Sequence, residues 1–120
     1  MRFLCIYKPG KPEGAPPTQQ EMTAMGKLIE EAMKAGWLLS TEGCLPSAKG
    51  ARVRLTGGKF TVTDGPFAEA KELVSGFAII QANSKEEAIE HTKYFLQVAG
   101  GGETEIRELY EAPAAASSTR

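Results

Sequence analysis

Residues 63–72, TDGPFAEAKE, join a tight-turn signal to a run of charged side chains, and both flanking segments are strand-like. Asp-Gly-Pro predicts a turn because an aspartate side chain binds nearby backbone, glycine reaches positive φ, and proline fixes φ. The apolar residue Phe67 follows directly. We therefore expect this turn to be held against the body of the protein.

A β-hairpin is predicted immediately before this loop, with strands over residues 51–56 and 59–63 joined by Gly57-Gly58. A two-residue Gly-Gly loop fits a type I′ or II′ turn, which fixes the register of the strands. The register opposes Leu55 to Phe60 and Val53 to Val62, so one face is apolar. The other face is basic and hydroxylic, with Arg52, Arg54, Thr56, Lys59, Thr61 and Thr63.

Two helices and four further strands are predicted around the hairpin. Capping-box patterns begin the helices at Thr18 and Ser84, and glycines at 36 and 100 end them. The first helix is expected to turn five side chains inward, namely Met22, Met25, Ile29, Ala32 and Met33. The remaining strands are predicted over residues 2–7, 37–43, 73–82 and 104–110.

This order, β-α-β, hairpin, loop, β-α-β, predicts a ferredoxin-like α+β fold, an antiparallel sheet with two helices on one face. The first strand is apolar on both faces, so it is expected at the centre of the sheet. The face without helices would then be apolar too, which predicts a homodimer with sheets facing across a two-fold axis. Residues 1–111 are expected to form one domain, followed by a disordered Ala- and Ser-rich tail over 112–120.

Composition and charge exclude several functional classes. The chain has 120 residues, 14 basic and 15 acidic, so it lacks the basic excess of a nucleic-acid-binding protein. No apolar run approaches the roughly 20 residues that span a membrane. Cys5 and Cys44 lack metal-site spacing and are expected to be buried, reduced thiols of a cytoplasmic protein. Phosphate-binding and dinucleotide motifs are also missing, so neither a cofactor nor a metal is expected.

Residues 63–72, followed by GFAII at 76–80, resemble the signature of the DGPF branch of the YCII-related proteins. That signature ends in Ala-Glu-Thr-Lys-Glu, and Ala70 replaces its threonine here. The similarity covers nearly the whole chain, including the opening strand, Leu38–Gly43, Val53-Arg54 and Glu105-Ile106-Arg107. It implies a dimeric α+β barrel of ferredoxin-like units, found in small bacterial cytoplasmic proteins of unestablished biochemical function.

The resemblance implies two kinds of role. Some relatives place a His–Asp pair in the cleft between the sheets, whereas members of the DGPF branch tend to accompany sigma factors of the extracytoplasmic-function type. Asp64 matches the family aspartate. The only histidine, His91, falls on the predicted second helix, so the chain departs from the His–Asp pattern.

The candidate site residues are Asp64 as an acid or base, Arg54 as the partner of an anion, and Glu69, Lys71 and Tyr7 as ligand-binding groups. Each has a structural alternative. Asp64 can cap its own turn, Glu69 and Lys71 can be a solvated charged turn, Arg54 can form a salt bridge, and Tyr7 can simply line the barrel.

Two functions follow from these candidates. In the first, the inter-sheet cleft binds a small polar or anionic organic molecule, and Asp64 supplies proton transfer for an isomerisation or a lactone reaction. In the second, the protein is a non-enzymatic accessory module that binds a protein partner such as a sigma factor. Both remain open from the sequence.

Overall fold

The computed structural model of the chain describes residues 1–13, 16–67 and 73–111. The element order confirms the predicted succession of two β-α-β halves around a hairpin. The elements are β1 (Arg2–Lys8), α1 (Gln19–Ala35), β2 (Leu38–Gly43), a 3-10 turn (Ser47–Lys49), β3 (Ala51–Thr56), β4 (Lys59–Asp64), β5 (Gly76–Gln81), α2 (Lys85–Ala99) and β6 (Glu103–Glu108).

The main sheet has four antiparallel strands in the order β2-β5-β1-β6, and this order confirms the ferredoxin-like α+β prediction. β1 and β5 are central, as their apolar sequences require, and β2 and β6 are the edges. The hairpin β3–β4 forms a separate two-stranded sheet, inserted between β2 and β5.

Local capping chemistry fixes where the helices begin and end. The Thr18 hydroxyl accepts from the Glu21 amide at 3.1 Å and the Glu21 carboxylate accepts from the Thr18 amide at 2.8 Å, so the predicted capping box is complete. At α2 only half of the predicted box forms, because the Glu87 carboxylate accepts from the amide of Asn83 at 3.2 Å. Left-handed glycines at 36 and 100 end the two helices.

The hydrophobic core lies between the sheet and the helices. Its buried members are Phe3, Cys5, Leu28, Ala32, Leu38, Ile80, Ala82 and Ala88. The inward stripe of α1 runs through Met25, Leu28, Ile29 and Ala32. Met22 and Met33 were predicted to face inward but are exposed. Met33 follows directly on Ala32 and is therefore turned about 100° away from it, whereas Met22 lies on the inward side but in the first turn of α1, where it lines a cavity instead of the core. The prediction that Cys44 is buried was also wrong.

The hairpin confirms its predicted register at every pair, from Thr56 opposite Lys59 to Arg52 opposite Thr63, and adds a sixth pair, Ala51 with Asp64. Every residue of both strands is exposed. The predicted tail over 112–120 lies outside the described residues. In the part of the chain that the structure describes, neither helix has the length and apolar character needed to span a membrane.

Candidate functional site

The helix-facing side chains of the main sheet become smaller from one end of the strands to the other. Strand pairing defines three rows across the sheet on this face. The first row holds the large apolar side chains of Leu38, Ile80 and Phe3, with Glu108 at the β6 edge. The second holds Thr41, Ala78, Cys5 and Ile106, and the third holds Gly43, Gly76, Tyr7 and Thr104. The core is therefore filled at one end and open at the other.

Two glycines leave the floor of the open end without side chains. The register of β2 shifts between Leu38 and Ser40, and this irregularity brings Gly43 opposite Gly76. Glycine is required at 76, because a Cβ there would lie 2.8 Å from the carbonyl oxygen of Glu42. Tyr7 and Thr104 are thus the only side chains in this row.

A cavity of about 1680 Å³ occupies the space between this end of the sheet and the two helices. Its walls are apolar where it meets the core, with Met25, Leu28, Ile29, Trp37 and Phe95. Its polar lining includes Tyr7, Lys11, Glu21, Thr41 and Thr104, and it also contains Lys8, Glu13, Glu42, Ser75, His91, Thr92 and Glu103. An apolar chamber with a few convergent polar groups is typical of a small-molecule site.

Tyr7 is held in one orientation. Its ring packs edge-on against Phe95 with centroids 5.0 Å apart, and its hydroxyl donates to the carbonyl of Gly101 at 2.9 Å. Gly102 has φ +108°, and a Cβ there would lie 2.8 Å from the Tyr7 ring, so glycine permits this close approach. Burial raises the pKa of Tyr7; to a smaller extent the charge of Lys11 lowers this pKa and that of Glu21 raises it. The Tyr7 hydroxyl therefore stays protonated at neutral pH.

A fixed ion pair stands at the cavity mouth. The Lys11 ammonium lies 2.6 Å from the Glu21 carboxylate, which also receives the Thr18 amide of the capping box. The hydrogen bond from Lys11, followed by those from Thr18, lowers the pKa of Glu21 to about 2. The same bond raises the pKa of Lys11. Both partners are consequently charged at neutral pH.

Thr104 has an unsatisfied hydroxyl on the cavity floor. Among the described residues, its Oγ1 is the only buried side-chain nitrogen or oxygen without a hydrogen-bond partner. A buried hydroxyl left in this state costs about 1–3 kcal/mol. Thr104 shares the last row with Tyr7 and belongs to the lining of the cavity. Its Oγ1 is not accessible to water as the side chain stands, so a bound molecule can satisfy it only after the side chain rotates about χ1.

Asp64 and Arg54, predicted to act together, lie on opposite faces of the hairpin. Asp64 pairs with Ala51 at the base of the ribbon, two residues from Val62, and so shares its apolar face. Arg54 pairs with Thr61 on the polar face. A single ligand on one face of the ribbon therefore contacts only one of these two side chains.

The remaining predicted site residues lie elsewhere. Tyr7 is on the helix-facing side of the main sheet, and of the predicted site residues that the structure describes it alone lines the cavity. Glu69 and Lys71 lie outside the described residues. Thr104 and Lys11 were not recognised from the sequence, and Glu21 was assigned only as a cap. Thr104 could have been placed beside Tyr7 only from the pairing of β1 with β6, and Lys11 beside Glu21 only from the path of the loop that precedes α1.

The TDGPF turn is anchored as expected. Gly65 donates its amide to Gly50 at 3.1 Å, and Phe67 donates its amide to the Ser47 hydroxyl at 3.1 Å. Ser47 in turn donates to Glu13 through its hydroxyl at 2.7 Å. The guanidinium of Arg52 lies 3.9 Å from the centre of the Phe67 ring. These contacts hold the turn to the 3-10 segment.

His91 makes its observed contacts away from Asp64. Its ring stacks on Trp37 with centroids 4.0 Å apart, and its Nε2 lies 3.9 Å from the Glu87 carboxylate. Neither of these contacts involves Asp64. In the described ranges, no group of three or more His, Cys, Asp and Glu side chains is arranged to hold a metal ion.

Comparison with known proteins identifies relatives without assigning a function. The sequence model of the YCII-related domain matches residues 1–112. An uncharacterized protein of Rhizobium meliloti (strain 1021) is 31% identical over 75 residues, which are 62% of this chain and 60% of that protein. The match therefore spans about three-fifths of the length of this curated relative.

Proposed function

The chain belongs to the YCII-related family, and we propose that it binds a small organic molecule in the cavity beside Tyr7 and Thr104. The TDGPFAEAKE stretch supports its place in the DGPF branch of that family. The sequence suggested a site in the cleft between two sheets. The cavity lies instead between the main sheet and its own two helices, at the end where the core is open.

The unsatisfied Thr104 hydroxyl is the observation that carries this proposal. Buried polar atoms in native proteins almost always have a partner, and an exception calls for an explanation. Thr104 lines the cavity, and the Tyr7 hydroxyl in the same row is already oriented by Gly101. A ligand toward which the Thr104 side chain rotates gives the hydroxyl a partner, and removal of the penalty adds to the affinity of that ligand.

The lining favours a ligand with an apolar body and a neutral polar end. Rings and aliphatic side chains such as Trp37, Phe95 and Met25 suit the apolar body. A carboxylate end would have to compete with ionised Glu21 for the Lys11 ammonium, and it would lie close to a like charge. A hydroxyl, carbonyl or amide end avoids this repulsion, so it is preferred over the anion considered from the sequence.

The cavity groups with shifted pKa values favour binding over proton transfer. A general acid or base works best with a pKa near the working pH. The pKa of Tyr7 is raised above its ordinary value of 10.0, and that of Glu21 is lowered to about 2. Acid/base catalysis by Asp64 is the competing proposal, and it requires a substrate at the base of the hairpin.

The test is a thermal-shift screen of neutral lactones, amides and alcohols beside matched carboxylates. A ligand at 100 times its dissociation constant stabilises the protein by about 2.7 kcal/mol. We expect a neutral compound to stabilise the wild type, Thr61→Val and Asp64→Asn equally, and to stabilise Thr104→Val less. Thr61 is the matched control because it is an exposed hairpin threonine. A hit lost only in Asp64→Asn would support the competing site, and a screen without hits would refute the cavity site.

Thr104→Val also has a predicted effect without any ligand. Because valine fills nearly the same volume and removes the unsatisfied hydroxyl, we expect the free energy of unfolding to rise by about 1 kcal/mol in urea denaturation. Thr61→Val should leave it unchanged. A loss of stability in Thr104→Val would show that the hydroxyl is already satisfied in solution.

A further inference from the structure

The loop that follows β1 forms part of the cavity wall. Residues 9–13 of this loop belong to the cavity lining, and we call them the strap. Near its beginning the strap passes close to the backbone before β6, because a Cβ at Gly10 would lie 3.6 Å from the nitrogen of Gly102. In its middle the ammonium of Lys11 lies 2.6 Å from the carboxylate of Glu21, in the first turn of α1. The strap therefore runs along the mouth of the cavity.

The far end of the strap is held by a carboxylate that receives two hydrogen bonds from one serine. The backbone amide of Ser47 donates to Oε1 of Glu13, and the Ser47 hydroxyl donates to Oε2 at 2.7 Å. Hydrogen bonds to a charged acceptor are the stronger kind. Leu45 and Pro46, which directly precede Ser47, also line the cavity. The contact thus joins the strap to the segment of the cavity wall that follows β2.

Ser47 is also the residue that holds the TDGPF turn. Its hydroxyl accepts the backbone amide of Phe67 at 3.1 Å while it donates to Glu13. A hydroxyl that accepts one hydrogen bond while it donates another is polarised, and the two bonds strengthen each other. The turn also touches the backbone of Ser47, since a Cβ at Gly65 would lie 1.7 Å from the Ser47 carbonyl oxygen. The position of the turn therefore fixes that of Ser47, and Ser47 in turn fixes the end of the strap.

We propose that the TDGPF turn positions the strap, and that the Ser47–Glu13 contact sets how fast a molecule enters and leaves the cavity. This inference rests on the proposed function, because it gives the turn a role in that same site. Within the described part of the turn, residues 63–67, no residue belongs to the lining of the cavity. The turn therefore acts through Ser47. Ser47 and Glu13 are positioning residues, and the strap opens when their two hydrogen bonds break.

Loss of the Ser47–Glu13 contact is expected to change rates and not affinity. The two bonds lie within the protein, so weakening them favours opening equally whether the cavity is empty or filled. Pro9 and Pro12 fix φ at two of the five strap positions, which favours movement of the strap as one piece. Loss of a hydrogen bond to a charged group should speed opening about tenfold. Association and dissociation should therefore accelerate together.

The experiment follows uptake and release of N-phenyl-1-naphthylamine, an uncharged dye with an aromatic body, by stopped-flow fluorescence on the full chain. Trp37 is the single tryptophan and lines the cavity, so energy transfer from it to the dye reports binding. Binding that Gly43→Leu abolishes is assigned to the cavity, because Gly43 lines it and an added Cβ meets nothing within 4 Å. A wild type without such binding would refute the proposed function and the role of the strap with it.

The first set of variants breaks the contact itself. Ser47→Ala and Glu13→Ala should each raise both rate constants about tenfold and leave the dissociation constant within about twofold. Ser47→Thr keeps the hydroxyl and should restore the wild-type rates. Glu30→Ala is the control for Glu13→Ala, because Glu30 is exposed on α1 and pairs with Lys34. Cavity binding with wild-type rates in Ser47→Ala would contradict the role of the strap and leave the proposed function standing.

Gly65→Ala tests the connection to the turn. It displaces Ser47 from outside the cavity lining, so it should raise both rate constants as Ser47→Ala does. Combined with Glu13→Ala it should add nothing, because the strap is then already released. Gly57→Ala, at the hairpin turn, is the control and should keep the wild-type rates. Wild-type rates in Gly65→Ala, or a full additive effect in the double variant, would show that the turn does not act through the strap and would overturn the proposal.

Discussion

Phe3 and Phe60 are both aromatic residues of antiparallel strands, and their surroundings are opposite. Phe3 is 1% exposed between the main sheet and the helices, and Phe60 is 73% exposed on the hairpin. Both regions separate apolar from polar side chains according to the alternation of a strand. Among the residues that the structure describes, helices cover the apolar side of the main sheet and not that of the hairpin.

The hairpin shows that alternating apolar and polar residues, together with a Gly-Gly turn, can fix which residues pair across two strands although none of them is buried. In the main sheet, strand pairing and core packing support each other, because a slip would expose Phe3 and Ile80. In the hairpin, Gly57 and Gly58 set the register through their positive φ angles, and the apolar face is left for another surface. The stability of the first region is thus internal, and that of the second depends on what covers it.

The largest predicted effect comes from comparing the buried Phe3 with the exposed Phe60. Phe3→Ala should lower the free energy of unfolding by about 3–5 kcal/mol, because it leaves a cavity in the core. This loss should be the same at every protein concentration. Phe60→Ala should lower the free energy of unfolding by less than about 1 kcal/mol, because its side chain is 73% exposed. Urea denaturation at several concentrations measures both.

Thr61→Ala is the control for Phe60→Ala, since it lies on the opposite face of the ribbon. It should have little effect at any concentration. A Phe60→Ala loss as large as that of Phe3→Ala in dilute solution would mean that the hairpin is part of the core of a single copy, and the contrast between the regions would disappear.

The second prediction concerns the TDGPF turn, which follows the hairpin and precedes β5 of the main sheet. A Cβ at Gly65 would lie 1.7 Å from the backbone carbonyl oxygen of Ser47, so Gly65→Ala must separate the turn from the 3-10 segment. We expect a loss of about 1–3 kcal/mol and faster exchange of the Phe67 amide. Gly57→Ala is the control: its φ of +59° causes strain, but nothing lies within 4 Å. It should cost about 1 kcal/mol and leave the Phe67 amide protected.

The sequence was most informative where structure is decided by near neighbours. The hairpin register followed from Gly57-Gly58, and the cap of α1 followed from Thr18 and Glu21, because these interactions span only a few residues. The family followed from a contiguous motif and is shown by the match over residues 1–112. These features use local backbone geometry, which a single sequence contains.

The cavity was not predicted because it depends on distant pairings. Gly43, Gly76, Tyr7 and Thr104 form one row only after four strands have paired, and Gly43 joins it through the irregularity in β2. Gly76 was recognised as a point of close backbone approach, but nothing in the sequence placed it beside Tyr7. The separation of Asp64 from Arg54, in contrast, was already contained in the predicted alternation once Asp64 is counted as part of β4.

The smallest predicted effect is a pH dependence that belongs to the main body and not to the hairpin. The folded-state pKa of Glu21 is about 2, below its ordinary value of 4.5, because Lys11 and Thr18 donate hydrogen bonds to the ionised carboxylate. The resulting stabilisation is complete above about pH 4.5 and is lost as the pH falls towards 2. Glu21→Gln should therefore be less stable than the wild type at pH 6, and the difference should shrink as the pH approaches 2.

Glu30→Gln is the matched control on the same helix, because Glu30 forms an exposed pair with Lys34 at 3.2 Å and takes no part in the cap. Urea denaturation at pH 6, 4 and 2.5 should show little change for this variant, since an exposed pair of this type contributes little. A difference between Glu21→Gln and the wild type that stays constant over this range would mean that the Glu21 carboxylate is not held ionised by Lys11. The Lys11–Glu21 pair would then no longer be a fixed charge at the cavity mouth, and the preference for a neutral ligand would lose its basis.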